Sequence, residues 1–469
     1  MVDQIQYLWL ENAYLSGDWQ TDVRLGIDAA GNIASVSSGC PEVSDERING
    51  TTIPGIPNVH SHAFQRAAAG LTEKRPYGSP LGAENSFWTW RKIIHSFVTH
   101  LTPNDQLAIA SQLFVEMLKA GYTAVGEFHY LHQDPIGNAY SDPCEMAHRI
   151  VNAAKRVGIG LTLLPVLYSI GGYSNLKPNE GQRRYMLDVE SFLKLVERLS
   201  KEYRDSDQIR IGIAPHSVRQ VPPKPLADAL TGFDSIDSKG PIHIHIAEQR
   251  GDVDAHIENF GVRPVAWLLD NVEVNSRWCL IHATHMVQSE TNALVASGAV
   301  AGLCPTTEAN LGDGLFPFAD FLNAGGAWGI GSDSHISVSP IEELRWLEYG
   351  QRLIHHSRNV SAPLEGGATG ARLYGGALLG GAQALSRPVG VLQPGYRADL
   401  LVLDPSHVNF TGLSEDNLLN SLIFNGNFNH IEHVMCGGKW VIRNGHHADE
   451  DAIADAYRKT VGRLLDVAL

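Results

Sequence analysis

The chain has 469 residues, of which 43% are hydrophobic and 19% are charged, so it is not a disordered or low-complexity protein and can bury one large core or two. Its 36 Lys+Arg against 51 Asp+Glu give a net charge of −15 with no basic block, which argues against binding to nucleic acid or to anionic membrane surfaces. The five cysteines include no CxxC pair, so neither a disulfide framework nor a thiolate zinc site is expected, and a reducing cytoplasm is favoured.

The N-terminal residues do not resemble an export signal, because Asp3 is acidic and neither a basic segment nor a long apolar segment follows. No later stretch reaches the roughly 18 uncharged apolar residues of a membrane-spanning helix. We therefore expect a soluble cytoplasmic protein.

Alternating apolar and polar residues mark both ends of the chain as β structure. Residues 23–27 and 33–36 predict a hairpin. The same alternation recurs near the C-terminus, at residues 398–403, 433–435 and 440–442. We predict a small β-sandwich domain composed of residues 1–54 and 386–469. A final helix within 449–469 is expected to pack through Ala452, Ala456, Val461, Leu464 and Leu465.

Between the two ends, short apolar runs alternate with helical patterns. The eight runs are Ile53–Val59, Thr123–Phe128, Leu161–Leu167, Ile209–Ala214, Ile242–Ala247, Leu280–Ala283, Val300–Cys304 and Trp328–Ser332. Helical spacing is clearest in Asp105–Ala120, Asp188–Tyr203, Arg263–Asn271, Ser289–Ser297 and Ile341–Ile354. This order predicts an α/β fold with a (β/α)8 TIM-type barrel over residues 55–385. The Gly- and Pro-containing segment Thr72–Ser86 is expected to be a lid or binding loop.

The carboxyl ends of the predicted strands carry side chains that can bind a metal. His60 and His62 are two residues apart on an extended segment, so both imidazoles point to the same side. His245 and Asp333 follow other strands and add a third nitrogen and a carboxylate, the ligands of a catalytic divalent metal. His243 lies two residues before His245, so its side chain is on the same side of the strand. It is expected to be a core residue or to form a hydrogen bond with a metal ligand.

These strand ends resemble the metal-dependent amidohydrolase superfamily: the HxH after strand one, the histidines of strands five and six, and the aspartate of strand eight. The segment Gly395–Leu400 is similar to that superfamily's return to its β domain. Within the superfamily, five motifs resemble the formimidoylglutamate deiminases: HSHAFQR at 60–66, SFWTWR at 86–91, APHSVR at 214–219, HIHIAEQ at 243–249 and GSDSH at 331–335.

The resemblance implies one divalent metal ion per subunit. Binuclear members carry a carboxylated lysine or another acidic ligand at strand three or four, where this chain has Tyr168 and His216. Glu127 leaves a second, weak site open, although buried hydrogen bonding is the favoured role for it. Zinc suits three imidazoles and one carboxylate, and the resemblance implies Zn2+ too, while iron or manganese fit the same ligands.

The resemblance also implies hydrolytic deimination of N-formimino-L-glutamate to N-formyl-L-glutamate and ammonia, in histidine degradation. Asp333 is then both a metal ligand and a general base, His282 stabilises charge on the attacking oxygen, and Glu248 carries a proton to the departing nitrogen. Arg91 and Arg219 are the candidates for binding the two carboxylates of the substrate.

Gln65, Tyr130 and His216 belong to the same motifs and are expected to bind the formimino nitrogen and the carboxylates, whereas Trp88 and Trp90 pack their loop. Three alternatives remain: deamination of an aminopurine or related heterocycle, release of formamide and glutamate, and a structural role without metal. The resemblance implies a homodimer.

Overall fold

A computed structural model describes residues 5–73 and 87–468, and only the backbone is described for residues 87–92 and 468. Its strands are β1 (Gln6–Tyr14), β2 (Trp19–Ile27), β3 (Ile33–Ser38), β4 (Glu46–Pro54), β5 (Ile56–Ser61), β6 (Tyr122–His129), β7 (Gly160–Leu167), β8 (Ile209–Ile211), β9 (Ala214–Pro215), β10 (Ile242–Ile246), β11 (Trp278–His282), β12 (Val300–Leu303), β13 (Ala327–Ile330), β14 (Leu400–Leu403), β15 (Ile431–Cys436) and β16 (Lys439–Ile442).

The α-helices are α1 (Phe87–Val98), α2 (Pro103–Ala120), α3 (Glu145–Val157), α4 (Val189–Glu202), α5 (Pro223–Ile236), α6 (Arg250–Phe260), α7 (Pro264–Asn271), α8 (Gln288–Ser297), α9 (Pro305–Leu311), α10 (Phe318–Asn323), α11 (Pro340–His355), α12 (Thr369–Leu385), α13 (Asp416–Phe424) and α14 (Glu450–Ala468). Short 3-10 helices cover Ala63–Ala68, Glu180–Tyr185 and Val408–Phe410. Among the described helices, none combines the length and apolar character needed to cross a bilayer.

The strands β5 to β13 form a parallel barrel. Neighbours pair in the order β10-β11-β12-β13-β5-β6-β7-β8, and β9 continues the fourth position beside β7. A parallel bridge between Ile213 and Ile242 connects that position to β10 and closes the ring. Helices follow the strands as crossover connections, so the predicted (β/α)8 barrel is confirmed.

Two of the eight strand predictions were wrong in detail. The run Ile53–Val59 is divided between two sheets, because β4 ends at Pro54 and β5 begins at Ile56. Both halves are buried, so hydrophobicity gave no sign of the change of sheet. The fourth strand is two short pieces, β8 and β9, that flank Gly212. A Cβ at Gly212 would lie 2.5 Å from the Pro241 carbonyl oxygen, so the chain there needs glycine.

A second sheet joins the two ends of the chain in the order β16-β15-β14-β4-β1-β2-β3. β4 pairs in parallel with β1 and antiparallel with β14, which connects the N-terminal to the C-terminal strands. Leu8 and Leu25 share one hydrophobic cluster with Leu400 and Met435, so distant strands pack together as expected for a sandwich. The division into residues 1–54 with 386–469 and residues 55–385 stays a prediction.

The predicted C-terminal helix is α14, which packs through Ile453, Thr460 and Leu464. Ala452 is exposed, contrary to the predicted packing face, because Ile453 occupies the position that turns inward. The segment proposed as a lid lies almost wholly outside the described residues, which resume at Phe87.

Candidate metal centre and active site

The carboxyl ends of the barrel strands bring the predicted site residues to one cavity. Nine of these residues line it: His62, Gln65, Tyr130, His216, Arg219, His245, Glu248, His282 and Asp333. His60 lies beside them and is fully buried. The cavity therefore lies where enzymes with this barrel carry out their chemistry.

Four side chains converge at the bottom of the cavity. The Nε2 atoms of His60 and His245 are 3.1 Å apart. The Asp333 Oδ1 atom lies 3.5 Å from Nε2 of His60 and 3.4 Å from Nε2 of His62. For zinc with ligand bonds of about 2.0–2.1 Å, the ligand atoms at the corners of a tetrahedron are about 3.3 Å apart. These three separations suit atoms that bind the same metal ion.

Backbone pairing at the ends of β5 and β13 explains why residues so distant in sequence meet. The Asp333 N–H donates to the His60 carbonyl at 3.0 Å, and the His62 N–H donates to the Asp333 carbonyl at 3.2 Å. A Cβ at Gly331 would lie 2.7 Å from the His60 Cβ, so glycine permits this close approach. Asp333 itself has a φ of 44°, a left-handed conformation that is strained for aspartate.

The histidines of this group are arranged as neutral ligands. Nδ1 of His62 and Nδ1 of His245 each lie 3.0 Å from a backbone carbonyl oxygen, that of Phe128 and that of His216. Each ring therefore places its proton on Nδ1 and presents the Nε2 lone pair. Burial lowers the pKa of His62 to about 3 and that of His245 well below its usual range, which favours the neutral imidazole that a metal binds.

His282 lies beside His245, with the two rings stacked, and among acidic groups. Its Nε2 atom is 3.7 Å from Glu248 Oε1 and 3.8 Å from Asp333 Oδ2, and its Nδ1 atom is 3.3 Å from Glu308 Oε1. Burial opposes charge on this ring, but the three carboxylates outweigh it and raise the pKa of His282 to about 10. Burial also raises the pKa of Asp333, to about 7, and His282 opposes that shift. The Nε2 atom of His282 thus lies within 3.8 Å of both Glu248 and Asp333, the two groups predicted to transfer protons.

Glu127 lies behind the group of ligands and is bound there by hydrogen bonds. Its carboxylate accepts from the Ser61 hydroxyl at 2.5 Å and from the Ala63 N–H at 2.8 Å. His335 accepts from the His62 N–H at 3.2 Å through its Nε2 atom. These contacts support the favoured role of Glu127 as a buried hydrogen-bonding residue that fixes the HxH segment.

The two predicted arginines are described to different extents. Arg219 lines the cavity, its Nη1 atom is paired with Asp252 and its Nε donates to Gln220 at 3.0 Å. Its side chain is only 12% exposed, which argues against an ordinary surface charge. Arg91 belongs to α1, but its side chain, like those of Trp88 and Trp90, lies outside the described residues.

Gln65 contributes an unsatisfied polar atom. The residue is 7% exposed, and its Oε1 atom has no hydrogen-bond partner among the described residues. Since a buried acceptor without a partner is costly, this atom is available to a donor on a bound molecule.

His243 does not join the metal-ligand group. Its Nε2 atom lies 2.8 Å from the Ala384 carbonyl oxygen, which belongs to α12 below the barrel strands. Of the two roles predicted for it, the core role agrees with this contact, because His243 bonds to no member of the ligand group.

Several residues of the site were missed from sequence. Tyr168, Tyr185, Phe64 and His95 line the cavity, and Glu308 contacts His282 from behind. Phe64, His95 and Tyr185 lie in helical segments and Tyr168 follows β7, and nothing in the sequence distinguishes these residues from core residues. Glu308 follows strand seven, and only its place in the first turn of α9 could have indicated it.

Comparisons with known proteins agree with this geometry. A model of the Amidohydrolase family matches residues 51–441. Formimidoylglutamate deiminase of Pseudomonas aeruginosa is 48% identical over 98% of this chain and 99% of its own length. A 5-methylthioadenosine/S-adenosylhomocysteine deaminase of Haloarcula marismortui is 23% identical, over 96% of this chain and 95% of its own.

Among solved structures, an amidohydrolase from Brucella melitensis superposes with a TM-score of 0.92 at 43% identity, covering 98% of this chain and all of that one. The extent of these matches and the metal-binding geometry at the strand ends lead to one conclusion: the chain belongs to the amidohydrolase family.

Proposed function

We propose that this protein hydrolyses N-formimino-L-glutamate to N-formyl-L-glutamate and ammonia. The observation that carries the proposal is the cavity in which His62, His245 and Asp333, with His60 beside them, adjoin Glu248, His282 and the partly buried Arg219. The 48% identity to a formimidoylglutamate deiminase over nearly the whole chain supports the choice of substrate.

The donor set favours zinc, one ion per subunit, as the metal. Three neutral imidazole nitrogens and one carboxylate oxygen are ligand types that zinc takes in proteins, and a water as the fifth ligand would make the site five-coordinate. A divalent ion held there supplies a Lewis acid, which makes water a nucleophile at neutral pH. The residues of the chain then have to move the protons.

We infer that the proton relay runs from Asp333 to Glu248 beside His282. Asp333 accepts the proton that water loses when its oxygen attacks the formimino carbon, and His282 stabilises the charge that develops on this oxygen. Glu248 donates a proton to the terminal nitrogen as the C–N bond breaks and ammonia leaves. The contacts of 3.7 and 3.8 Å from His282 to the two carboxylates support this path.

The remaining cavity residues are proposed to select the substrate. Arg219, with Arg91 from α1, binds the carboxylates of the glutamate moiety, and Tyr130 and His216 add hydrogen bonds. The free Oε1 of Gln65 accepts a hydrogen bond from the formimino nitrogen. We also propose a cytoplasmic homodimer that acts in histidine degradation, and light scattering of the purified protein tests the dimer.

Product analysis tests the reaction directly. We expect the zinc-loaded protein to convert N-formimino-L-glutamate into ammonia and N-formyl-L-glutamate in equal amounts. Formamide with free glutamate would show that the other C–N bond breaks, with the same metal site. A metal-free sample is the control for spontaneous hydrolysis.

A second candidate is deamination of a purine nucleoside or a related heterocycle. Tyr130, Tyr168 and Tyr185 line the cavity and offer aromatic faces for stacking, and the relative from Haloarcula marismortui is named for such a reaction. 5-Methylthioadenosine should be assayed alongside. Its turnover, together with none of N-formimino-L-glutamate by a metal-loaded sample, would replace the first proposal by this one.

A further inference from the structure

Glu308 is a buried carboxylate that neither lines the cavity nor belongs to the proposed ligands or proton-transfer groups. It lies in the first turn of α9 and is 4% exposed. Its Oε1 atom accepts from the Cys304 N–H at 3.0 Å, and the Glu308 N–H donates to the Cys304 carbonyl at 2.9 Å. These reciprocal bonds fix the side chain to the end of β12, so its carboxylate is held in one place.

The same oxygen faces the ring of His282. Oε1 lies 3.3 Å from His282 Nδ1, whereas the Nε2 atom of that ring faces Glu248 and Asp333 across the cavity. A carboxylate accepts and cannot donate when ionised, so this contact requires a proton on Nδ1. The backbone φ is 69° at His282 and 48° at Ala283, both in the left-handed region. The His282 ring therefore extends from a strained strand end, where side-chain hydrogen bonds help to fix its orientation.

We propose that Glu308 is the positioning residue of this active site: it holds His282 with the proton on Nδ1 and the ring turned so that Nε2 meets the reacting atoms. The proposal rests on the proposed deimination, in which His282 stabilises the attacking oxygen. A ring free to rotate would spend part of its time with Nε2 misplaced, which lowers the rate of the chemical step. Substrate binding through Arg219 would be unaffected.

The test compares Glu308→Ala with Glu308→Gln. Because His282 Nδ1 and the Cys304 N–H both bond to the one oxygen Oε1, the amide oxygen of glutamine can accept both hydrogen bonds. We expect Glu308→Ala to lower kcat by about 10²-fold with little change in KM, and Glu308→Gln to recover most of the loss. Equal losses in both variants, or a loss confined to KM, would overturn the proposal.

A matched control separates positioning from loosening of the helix. Glu343 of α11 also binds the start of α9, through the Thr306 N–H at 2.9 Å and the Thr306 hydroxyl at 2.5 Å, whereas its hydrogen bonds among the described residues do not include His282. Glu343→Ala should lower thermal stability while kcat stays close to that of the wild type. The same fall in kcat as in Glu308→Ala would mean that α9, rather than the hydrogen bond to His282, is responsible.

Metal analysis excludes a second explanation. His282, Cys304 and Glu308 place ligand atoms within 4.8 Å of one another, so they could instead bind an ion of their own. Positioning predicts one zinc per chain in the wild type and in both variants. Two ions in the wild type and one in Glu308→Ala would assign Glu308 as a ligand and overturn the proposal.

Histidine 15N NMR provides a readout that does not depend on turnover. The Nδ1–H signal of His282, assigned by its loss in His282→Asn, should be shifted downfield by the hydrogen bond in the wild type and in Glu308→Gln, and lose this shift in Glu308→Ala. The same signal position in Glu308→Ala as in the wild type would contradict the hydrogen bond. An unprotonated Nδ1 in the wild type would overturn the proposal. If the wild type turns over no N-formimino-L-glutamate, the proposed function fails, and the NMR result alone decides the role of Glu308.

Discussion

Two histidines of the same strand, β10, have different hydrogen-bond partners. His243 and His245 lie on the same side of β10, yet His243 bonds to the Ala384 carbonyl and His245 faces His60. Both rings are buried, so neither burial nor sequence parity separates the proposed ligand from the core residue.

This pair provides a test of the metal site. We expect His245→Gln to lose the bound ion and nearly all activity, because three ligands remain of four. His243→Gln should keep one ion per chain, since the amide can still donate to the Ala384 carbonyl. Metal analysis by mass spectrometry and a deimination assay on both variants would check this, and metal retained by His245→Gln would contradict the proposed ligand set.

Arg219 tests the selection of an anionic substrate. Removing its charge in Arg219→Met should raise KM for N-formimino-L-glutamate by about 10²-fold, roughly the loss of one charge-assisted hydrogen-bonded pair of 1.5–3 kcal/mol. Asp252→Asn is the matched control, because Asp252 holds Arg219 through an ion pair and the variant keeps the positive charge. We expect a smaller rise in KM there, and unchanged kinetics in Arg219→Met would refute the carboxylate-binding role.

Among individual residues, the sequence singled out those whose side chains can bind a metal. His60, His62, His245 and Asp333 stood out because polar metal-binding side chains followed buried runs. Glu308 and Tyr185 did not, because a glutamate in a first helical turn is ordinarily a capping residue and a tyrosine in a short 3-10 helix is ordinarily a packing residue. Their roles depend on which side chain lies opposite, and only the three-dimensional structure gives that information.

Different sequence features determine the central part of a strand or helix and its ends. The middles of the barrel strands were predicted because buried parallel strands are continuous apolar runs. The left-handed residues Ala247, His282, Ala283, Asp333 and His335 lie at the ends of three of those strands, and two of them, His282 and Asp333, line the cavity. No residue type marks such strained positions, so the geometry of the strand ends was not predictable.

The N-terminus of α2 is a helix end that specific residues of the sequence do determine. The Thr102 hydroxyl accepts from the Asp105 N–H at 3.2 Å, while Asp105 accepts from the Thr102 N–H at 2.8 Å and binds Arg463 of α14. Thr102→Ala should therefore destabilise the protein by about 1 kcal/mol. Denaturant unfolding measures this change, and kcat/KM should stay constant because α2 starts away from the cavity. An unaltered unfolding midpoint would show that the cap contributes nothing.

For the molecule as a whole, the proposed ion would join elements that are far apart in sequence. Its ligands lie on β5, on β10 and just after β13, so it would cross-link the barrel. Because only the folded chain assembles these ligands, binding should stabilise the fold by about 1.4 kcal/mol for each tenfold rise in free zinc above the dissociation constant.

Thermal unfolding in zinc buffers measures this linkage. The melting temperature should fall on removal of metal by a chelator and rise with the logarithm of free zinc on return. His245→Gln is the control and should respond little. A wild-type melting temperature that does not depend on zinc would contradict a metal site in the barrel.

The sheet that joins the two chain ends also constrains how the protein is made. β4 has its N-terminal partner β1 early in synthesis, but its other edge pairs with β14, which begins at Leu400. A ribosome must therefore translate most of the 469 residues while that edge is open to other strands. Premature termination before Leu400 would leave the edge permanently unpaired, and such truncated chains should aggregate or recruit chaperones even when all barrel strands are present.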